Sequence, residues 1–303
     1  MCGTGRHTAG CAVRRAFVPH SGSTYDYVPH TLRTGGKRDS WLKEQSIISA
    51  RHDISLSVFF PCFNEEANVE RTTRKAIVAL SRLVADWEII IVDDGSVDRT
   101  GEIADALAAA DSRIKVVHHK PNKGYGMALR SGFAAAKKTF VFYTDGDGQF
   151  DIDELDLLLA KRGDADIISG YRRNRQDNVI RRINAAGWSW LVQIALKFRC
   201  RDVDSAFKLY RREMFDRMEL KSTGALIDAE ILSRAVRLGY TIKTVPVTHL
   251  PRQAGSPTGA KLRVILRAFK ELLTLRRDIM ASADVAVTNR AASVSASDTP
   301  TGG

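Results

Sequence analysis

Cysteine is scarce in this chain: Cys2, Cys11, Cys62 and Cys200 are spread over 303 residues with no C-x-x-C pair. That spacing excludes a disulfide framework and a zinc cluster, and it is what a reducing, cytoplasmic compartment is expected to hold. No apolar run approaches the ~18–20 residues of a membrane span. The opening stretch "MCGTGRHTAGCAVRRAFVPH" has no apolar centre of the kind a secretory signal needs. Three phosphate or metal loops are also missing. No G-K-[ST] follows a glycine-rich turn, and "GYGMAL" supplies Gly124 and Gly126 but no third glycine. An EF-hand counted from Asp145 would place Phe150 and Asp156 where glycine and glutamate belong. RRM, KH and helix-turn-helix signatures are absent, so no nucleic-acid partner is expected.

Positive charge is plentiful. Lys and Arg number 46 against 35 Asp and Glu, a net charge of +11. Much of it lies between Arg172 and Arg217, and a second cluster runs from Arg252 to Arg277. Such clustering suits an anionic partner, a phosphate or an acidic membrane surface.

Residues 1–53 mix Gly, Ser, Thr, His and Arg without periodicity and read as a basic arm; 282–303 read as a small polar tail. Between them strand and helix patterns alternate. "ISLSVFF" (54–60), "WEIIIV" (87–92), "IKVVH" (114–118), "TFVFYT" (139–144) and "ADIISG" (165–170) are short and apolar. A helical face of Val69, Thr73, Ala76, Ile77, Leu80, Leu83 and Val84 follows the first. Helices are expected near 101–110 and 126–137, and another carrying Ile152, Leu155, Leu158 and Leu159. The expectation is an α/β fold, a largely parallel Rossmann-like sheet covered by helices on both faces.

Ligands of such sheets sit beyond the carboxyl ends of the strands. Four polar stretches fall there: "PCFNEE" (61–66), "VDDGS" (92–96), "NKGYG" (122–126) and "DGDGQ" (145–149). A carboxylate pair one residue apart, beside a basic glycine-rich loop, suits Mg²⁺ or Mn²⁺ bridging a diphosphate. Asp151 reads equally as a cap for the next helix. Asp94 and Ser96 read equally as turn residues.

"SVFFPCFNEEANV", "EIIIVDDGSVDRT", "NKGYGMALRSGFAAA" and "FYTDGDGQF" resemble, in order, the signatures of family 2 glycosyltransferases with a GT-A fold. "DSAFKLYRREMF", "IDAEILSRAVRLGYTIKTVPV" and "PRQAGSP" extend the likeness over roughly 54–256, most of all to polyprenyl-phosphate (dolichyl-phosphate) mannose and glucose synthases. The resemblance implies a GT-A domain at 54–256, with a nucleotide-sugar half at 54–150 and an acceptor half at 151–256. It implies Pro61, Phe63 and Glu65 in the nucleoside pocket, Asp93 on the base, and Lys123 and Gly124 by the ribose and diphosphate. Asp145, Asp147 and Gln149 would contact the metal. The chain departs from the pattern twice: Phe63 stands where relatives often have Tyr, and Phe150 where the synthases usually have His. The implied reaction is an inverting transfer of a hexose from a UDP- or GDP-linked donor to a polyprenyl phosphate. A saccharide or glycolipid hydroxyl is the alternative acceptor, and a non-catalytic basic binding protein is the alternative outside enzymes.

For a hydroxyl acceptor a carboxylate base is useful. Asp204, Asp228 and Glu230 are the candidates, while Asp202 reads rather as an arginine partner. Arg172, Arg181 or Arg182, and Arg252 look like clamps for an acceptor phosphate, because guanidinium forks match phosphate geometry. Trp188, Trp190, Leu191, Ile194 and Leu196 beside these arginines suit a membrane interface. Residues 257–281 form a basic amphipathic pattern, with Leu262, Ile265, Leu266, Phe269, Leu272 and Leu273 on one face. Such a helix either docks on the domain or lies on an anionic membrane.

Overall fold

A computed structural model describes residues 51–173, 179–250 and 269–281. Residues 1–50 of the arm, the tail at 282–303, Leu262, Ile265, Leu266 and Arg252 lie outside the described residues. Strand β1 (His52–Cys62) leads to α1 (Val69–Leu83), β2 (Val84–Asp93), α2 (Thr100–Ala110), β3 (Ile114–His118), α3 (Tyr125–Ala135) and β4 (Phe140–Thr144). A 3₁₀ turn (Ile152–Glu154) precedes α4 (Leu155–Leu159). Then come β5 (Ile167–Arg173), α5 (Val179–Leu196), β6 (Phe207–Arg211), α6 (Ile227–Arg237), β7 (Ile242–Thr248) and a final helix α7 (269–281).

The seven strands form one sheet in the order β3-β2-β1-β4-β6-β5-β7. All neighbours are parallel except β6, which runs antiparallel to both β4 and β5. The largely parallel sheet expected from the apolar runs is therefore present, with one reversed strand inside it. Alternation along β1 shows why both faces need cover. Phe59 enters one core with Ile90, Val92 and Tyr143 under α3, α5 and α6. Val58 and Phe60 enter the other with Ile89, Ile91 and Phe142 under α1 and α4.

Five sequence expectations are corrected. Val84 does not extend the α1 face but begins β2, and His52 and Asp53 belong to β1 rather than to the arm. The helix after Asp151 is a 3₁₀ turn and a single short α segment. Strands β6 and β7 carry Lys208 and Pro246 among their apolar residues, which hides them from an apolar-run reading. In α7 the buried residues are Leu272, Leu275 and Ile279, while Leu273 is 62% exposed. That helix docks through its own i, i+3, i+7 stripe onto the core shared with α5 and α6.

Candidate active site

The parallel register of β1 and β2 sets Pro61 beside Val92 and Cys62 beside Asp93, so the loops after both strands open at one edge. They are sewn together. Asn64 N donates to Ser96 Oγ at 3.0 Å, Val97 N to Asn64 Oδ1 at 2.9 Å, and Glu65 N to Thr100 Oγ1 at 2.8 Å. Asn68 donates to the Glu65 carboxylate at 2.6 Å. Phe63, on the free rim of this loop, is 49% exposed. An aromatic face that burial does not require is available there for a flat ligand. Cys62 is buried, and burial pushes its thiol well up, so it serves as a core residue rather than a nucleophile.

Asp93 is buried and accepts from Ser96 N at 3.0 Å. Its other oxygen lies 2.9 Å from His118 Nδ1, whose Nε2 lies 2.9 Å from Asp105. Pairing with Asp105, and then with Asp93, holds His118 above the usual imidazole value. The native state therefore binds a proton more tightly than the unfolded chain does. The stability this adds is complete below pH 6.5, the ordinary value, and is lost as pH rises through the raised one. His118→Gln is expected to flatten the fall of Tm between about pH 6 and 8, measured by thermal denaturation across that range.

Asp94 has a role that the sequence left equal to a turn. Its carboxylate accepts from Lys123 N and Gly124 N, each at 2.9 Å, and faces His119 Nδ1 at 2.6 Å. Its carbonyl accepts from Asn122 at 2.7 Å. The loop at 122–124 is thus folded around one buried carboxylate. His119 is anchored in turn by Ser131 at 2.8 Å. The signal for this was the doubled Asp93-Asp94 and the doubled His118-His119 at neighbouring strand ends. Gly124 takes φ +92°, open to glycine at little cost. A Cβ on Gly126 would sit 2.5 Å from the Thr223 carbonyl carbon. This close approach lets Gly126 N donate to Thr223 O at 3.0 Å.

Beyond β4, Asp147 is buried and accepts from Gln149 N at 3.0 Å, while Tyr125 OH donates to Asp145 at 3.2 Å. Burial, reinforced by the neighbouring Asp147 charge, pushes Asp145 up to about 7. Two carboxylates that repel one another on a loop are the donor set a hard divalent cation relieves. Thr144 Oγ1, next in the chain, is buried with no hydrogen-bond partner. Among the described residues no group of three or more His, Cys, Asp or Glu side chains could hold a metal ion. By its chemistry the Asp145–Asp147 pair is a hard-oxygen donor set of the kind that would fit a divalent cation completing its shell with non-protein oxygens. Gln149 is tied to the segment after β7, donating to Leu250 O at 3.3 Å and accepting from Leu250 N at 2.7 Å. Phe150 packs on Phe207 at 5.3 Å and on His249 at 5.2 Å. Asp151 caps the 3₁₀ turn.

The acceptor-side residues separate. Arg172 grips Asp202 through Nε and Nη2, both at 2.8 Å, and its backbone N–H donates to the same carboxylate at 3.1 Å. Burial raises the Asp202 carboxyl, but the Arg172 guanidinium outweighs it and holds the group below the carboxylate range. Asp204, two residues on, is exposed. Its carboxyl is raised, first because the surrounding protein displaces part of its hydration and then by the Asp228 charge. Glu230 is fully buried and fully occupied. It accepts from Lys221 N at 3.0 Å, Ser222 N at 2.7 Å and Arg234 Nε at 2.8 Å. It organises the 221–224 loop that supports Gly126, and its geometry gives a substrate proton no access. Asp228 is buried against Lys208. Arg181 and Arg182 lie on α5, but their side chains, like Arg252, lie outside the description.

Residues 57–218 match the family model described as Glycosyl transferase family 2, more than half of the chain. The chain belongs to that family. Glycosyltransferase AglD of Haloferax volcanii is 34% identical over 210 residues, 66% of this chain and 34% of that protein. An undecaprenyl-phosphate 4-deoxy-4-formamido-L-arabinose transferase of Salmonella choleraesuis is 29% identical over 215 residues, 69% of this chain and 64% of the transferase. The chain thus spans about a third of the first relative's length and under two thirds of the second's. Among solved structures, glucosyl-3-phosphoglycerate synthase from Mycobacterium tuberculosis, crystallised with Mn²⁺, UDP-glucose and phosphoglyceric acid, aligns with a TM-score of 0.53 at 22% identity. The alignment covers 75% of this chain and 78% of the synthase. The same synthase with Mg²⁺ and UDP aligns with a TM-score of 0.52, 20% identity, and 75% and 77% coverage. At that identity the likeness concerns the fold, and the family 2 domain has the GT-A arrangement.

Proposed function

We propose that this family 2 glycosyltransferase moves a hexose, with inversion, from a nucleoside-diphosphate sugar to a polyprenyl phosphate. The observation that carries the reading is the convergence at one sheet edge of the Asp93–Asp94 turn, the 122–126 loop and the Asp145–Asp147 pair. The Salmonella relative's name, an undecaprenyl-phosphate transferase, supports the acceptor. Phe63 and Pro61 line the base pocket with Glu65, and Asp93 meets the base. Lys123 and the amide-rich turn at Gly124 take the ribose and diphosphate. Asp145 and Asp147, with Gln149, would hold Mg²⁺ or Mn²⁺, which would supply neutralisation of charge on the departing diphosphate.

A lipid phosphate is already ionised at neutral pH, so the protein need only orient and desolvate it. Arg172, Arg181, Arg182 and Arg252 are the groups for that task. Trp190 and Ile194, 66% and 55% exposed on α5, and the exposed Lys197 and Arg199 suit peripheral contact with an anionic membrane. No helix among the described residues is long and apolar enough to cross one. One observation favours a second acceptor: Asp204 is an exposed carboxylate held above its ordinary value, as a base for a saccharide or glycolipid hydroxyl would be.

Thermal-shift titrations with UDP and GDP, each with and without Mn²⁺, test the donor. A shift that needs both the metal and one nucleotide is expected, and no shift with either would overturn the reading. Transfer of radiolabelled sugar to undecaprenyl phosphate, against a saccharide acceptor, separates the two acceptors.

A further inference from the structure

Lys208 is an unusual occupant of its place. It sits within β6, fully buried, directly opposite Tyr143 of β4 in the antiparallel register, so both side chains share one face of the sheet. An ammonium there is costly unless each of its three protons is taken up. One goes to Asp228 Oδ1 at 2.8 Å, one to Val203 O at 2.9 Å and one to Ser205 O. The Tyr143 hydroxyl stands 3.3 Å from the ammonium and donates its own proton to Asp228. Two of the three bonds thus close on the backbone carbonyls flanking Asp204. The same turn holds Asp202, which fixes Arg172. Tyr143 lies two residues before Asp145 on the other side.

We propose that the buried Lys208–Asp228–Tyr143 cluster is a positioning device that holds the turn at 202–205, and with it Arg172 and Asp204, in register with the Asp145–Asp147 pair. Lys208 is fully buried and acts through the turn. A core that needed only packing would be served by a leucine or methionine at this position, and replacing a buried ion pair by apolar residues is often neutral for stability. The carbonyl bonds are what an apolar residue cannot supply. The inference rests on the transferase reading only for what the turn is aligned with.

The test uses the full chain as Lys208→Met and as Lys208→Met/Asp228→Asn, because the single variant leaves an unpaired buried carboxylate and can fail to fold. The double variant is expected to regain the Tm lost by the single one. In it, amide hydrogen exchange at 202–206 rises at least about tenfold, because the turn loses two charge-assisted hydrogen bonds and either one alone is worth about that factor. The UDP–Mn²⁺ thermal shift is expected to stay at the wild-type value, while the KM for undecaprenyl phosphate rises about tenfold on the same ground. Wild-type exchange at 202–206 in the double variant, or transfer recovering together with Tm, would overturn the proposal. Wild-type protein that transfers nothing to undecaprenyl phosphate would remove the proposed acceptor instead, and the exchange measurement would still decide the role of Lys208.

Discussion

Replacing Asp147 with alanine is expected to lower transfer about a thousandfold, the scale of several kcal/mol of lost charge stabilisation at the leaving group. Asp147 is buried, and its carboxylate shapes the turn by accepting from Gln149 N. Asp147→Asn preserves that acceptor and the side-chain volume while removing the charge. The two variants therefore separate turn geometry from cation binding. Both are expected to lose Mn²⁺-dependent UDP binding, and only the alanine variant is expected also to lose Tm. EDTA on wild-type protein should reproduce the asparagine result and excess Mn²⁺ should reverse it, read by initial transfer rate. An asparagine variant with near wild-type turnover would exclude the carboxylate pair as the cation site. Asp145, already pushed up to about 7 by burial and by Asp147, should then fall toward the ordinary range when its partner's charge is gone.

Glu230→Ala is expected to produce a large stability loss. The carboxylate takes two backbone amides and the Arg234 guanidinium in a fully buried setting. Removing it leaves a buried cation and two donors unpaired. Breaking a buried pair in this way costs about 3–5 kcal/mol, and for a domain of this size that is a fall in Tm of about 10 °C. Glu230→Gln restores shape but not charge and should recover part of the loss. Because the 221–224 loop backs Gly126, nucleotide affinity should fall in parallel with Tm in both variants. A glutamine variant with wild-type Tm and nucleotide binding but no transfer would instead restore Glu230 to the role of base.

These two residues show where the letters sufficed and where they did not. Asp147 was legible because its neighbours are informative: glycines on each side, a second aspartate at spacing two, and a strand-length apolar run just before. Each of these is a local property of the chain. Glu230 sits in a helix whose pattern is equally local, and Arg234 one turn on is a local partner, yet its two backbone partners lie eight and nine residues upstream in an irregular loop. No periodicity reports such a bond. Asp94 and His119 were missed for the same reason. Each is one of a doubled pair at a strand end, and only the parallel register of β2 and β3 brings the pairs side by side.

The amino-acid sequence by itself determined the alternation of strand and helix, the edge of the sheet at which polar loops gather, and the carboxylate pair suited to a cation. Burial and capping act over a few residues, and the spacing of side chains records them. Only the tertiary structure decided which carboxylates stay available. Asp202 is spent on Arg172, Glu230 on the 221–224 loop and Asp228 on Lys208, while Asp204 remains exposed. The reversed strand β6 was likewise beyond local reading, since a buried lysine looks like a surface residue until the partners of its three protons are brought to it from Val203, Ser205 and Asp228. Availability depends on which groups the fold places within hydrogen-bonding distance, and that distance is set by the packing of elements far apart in the chain.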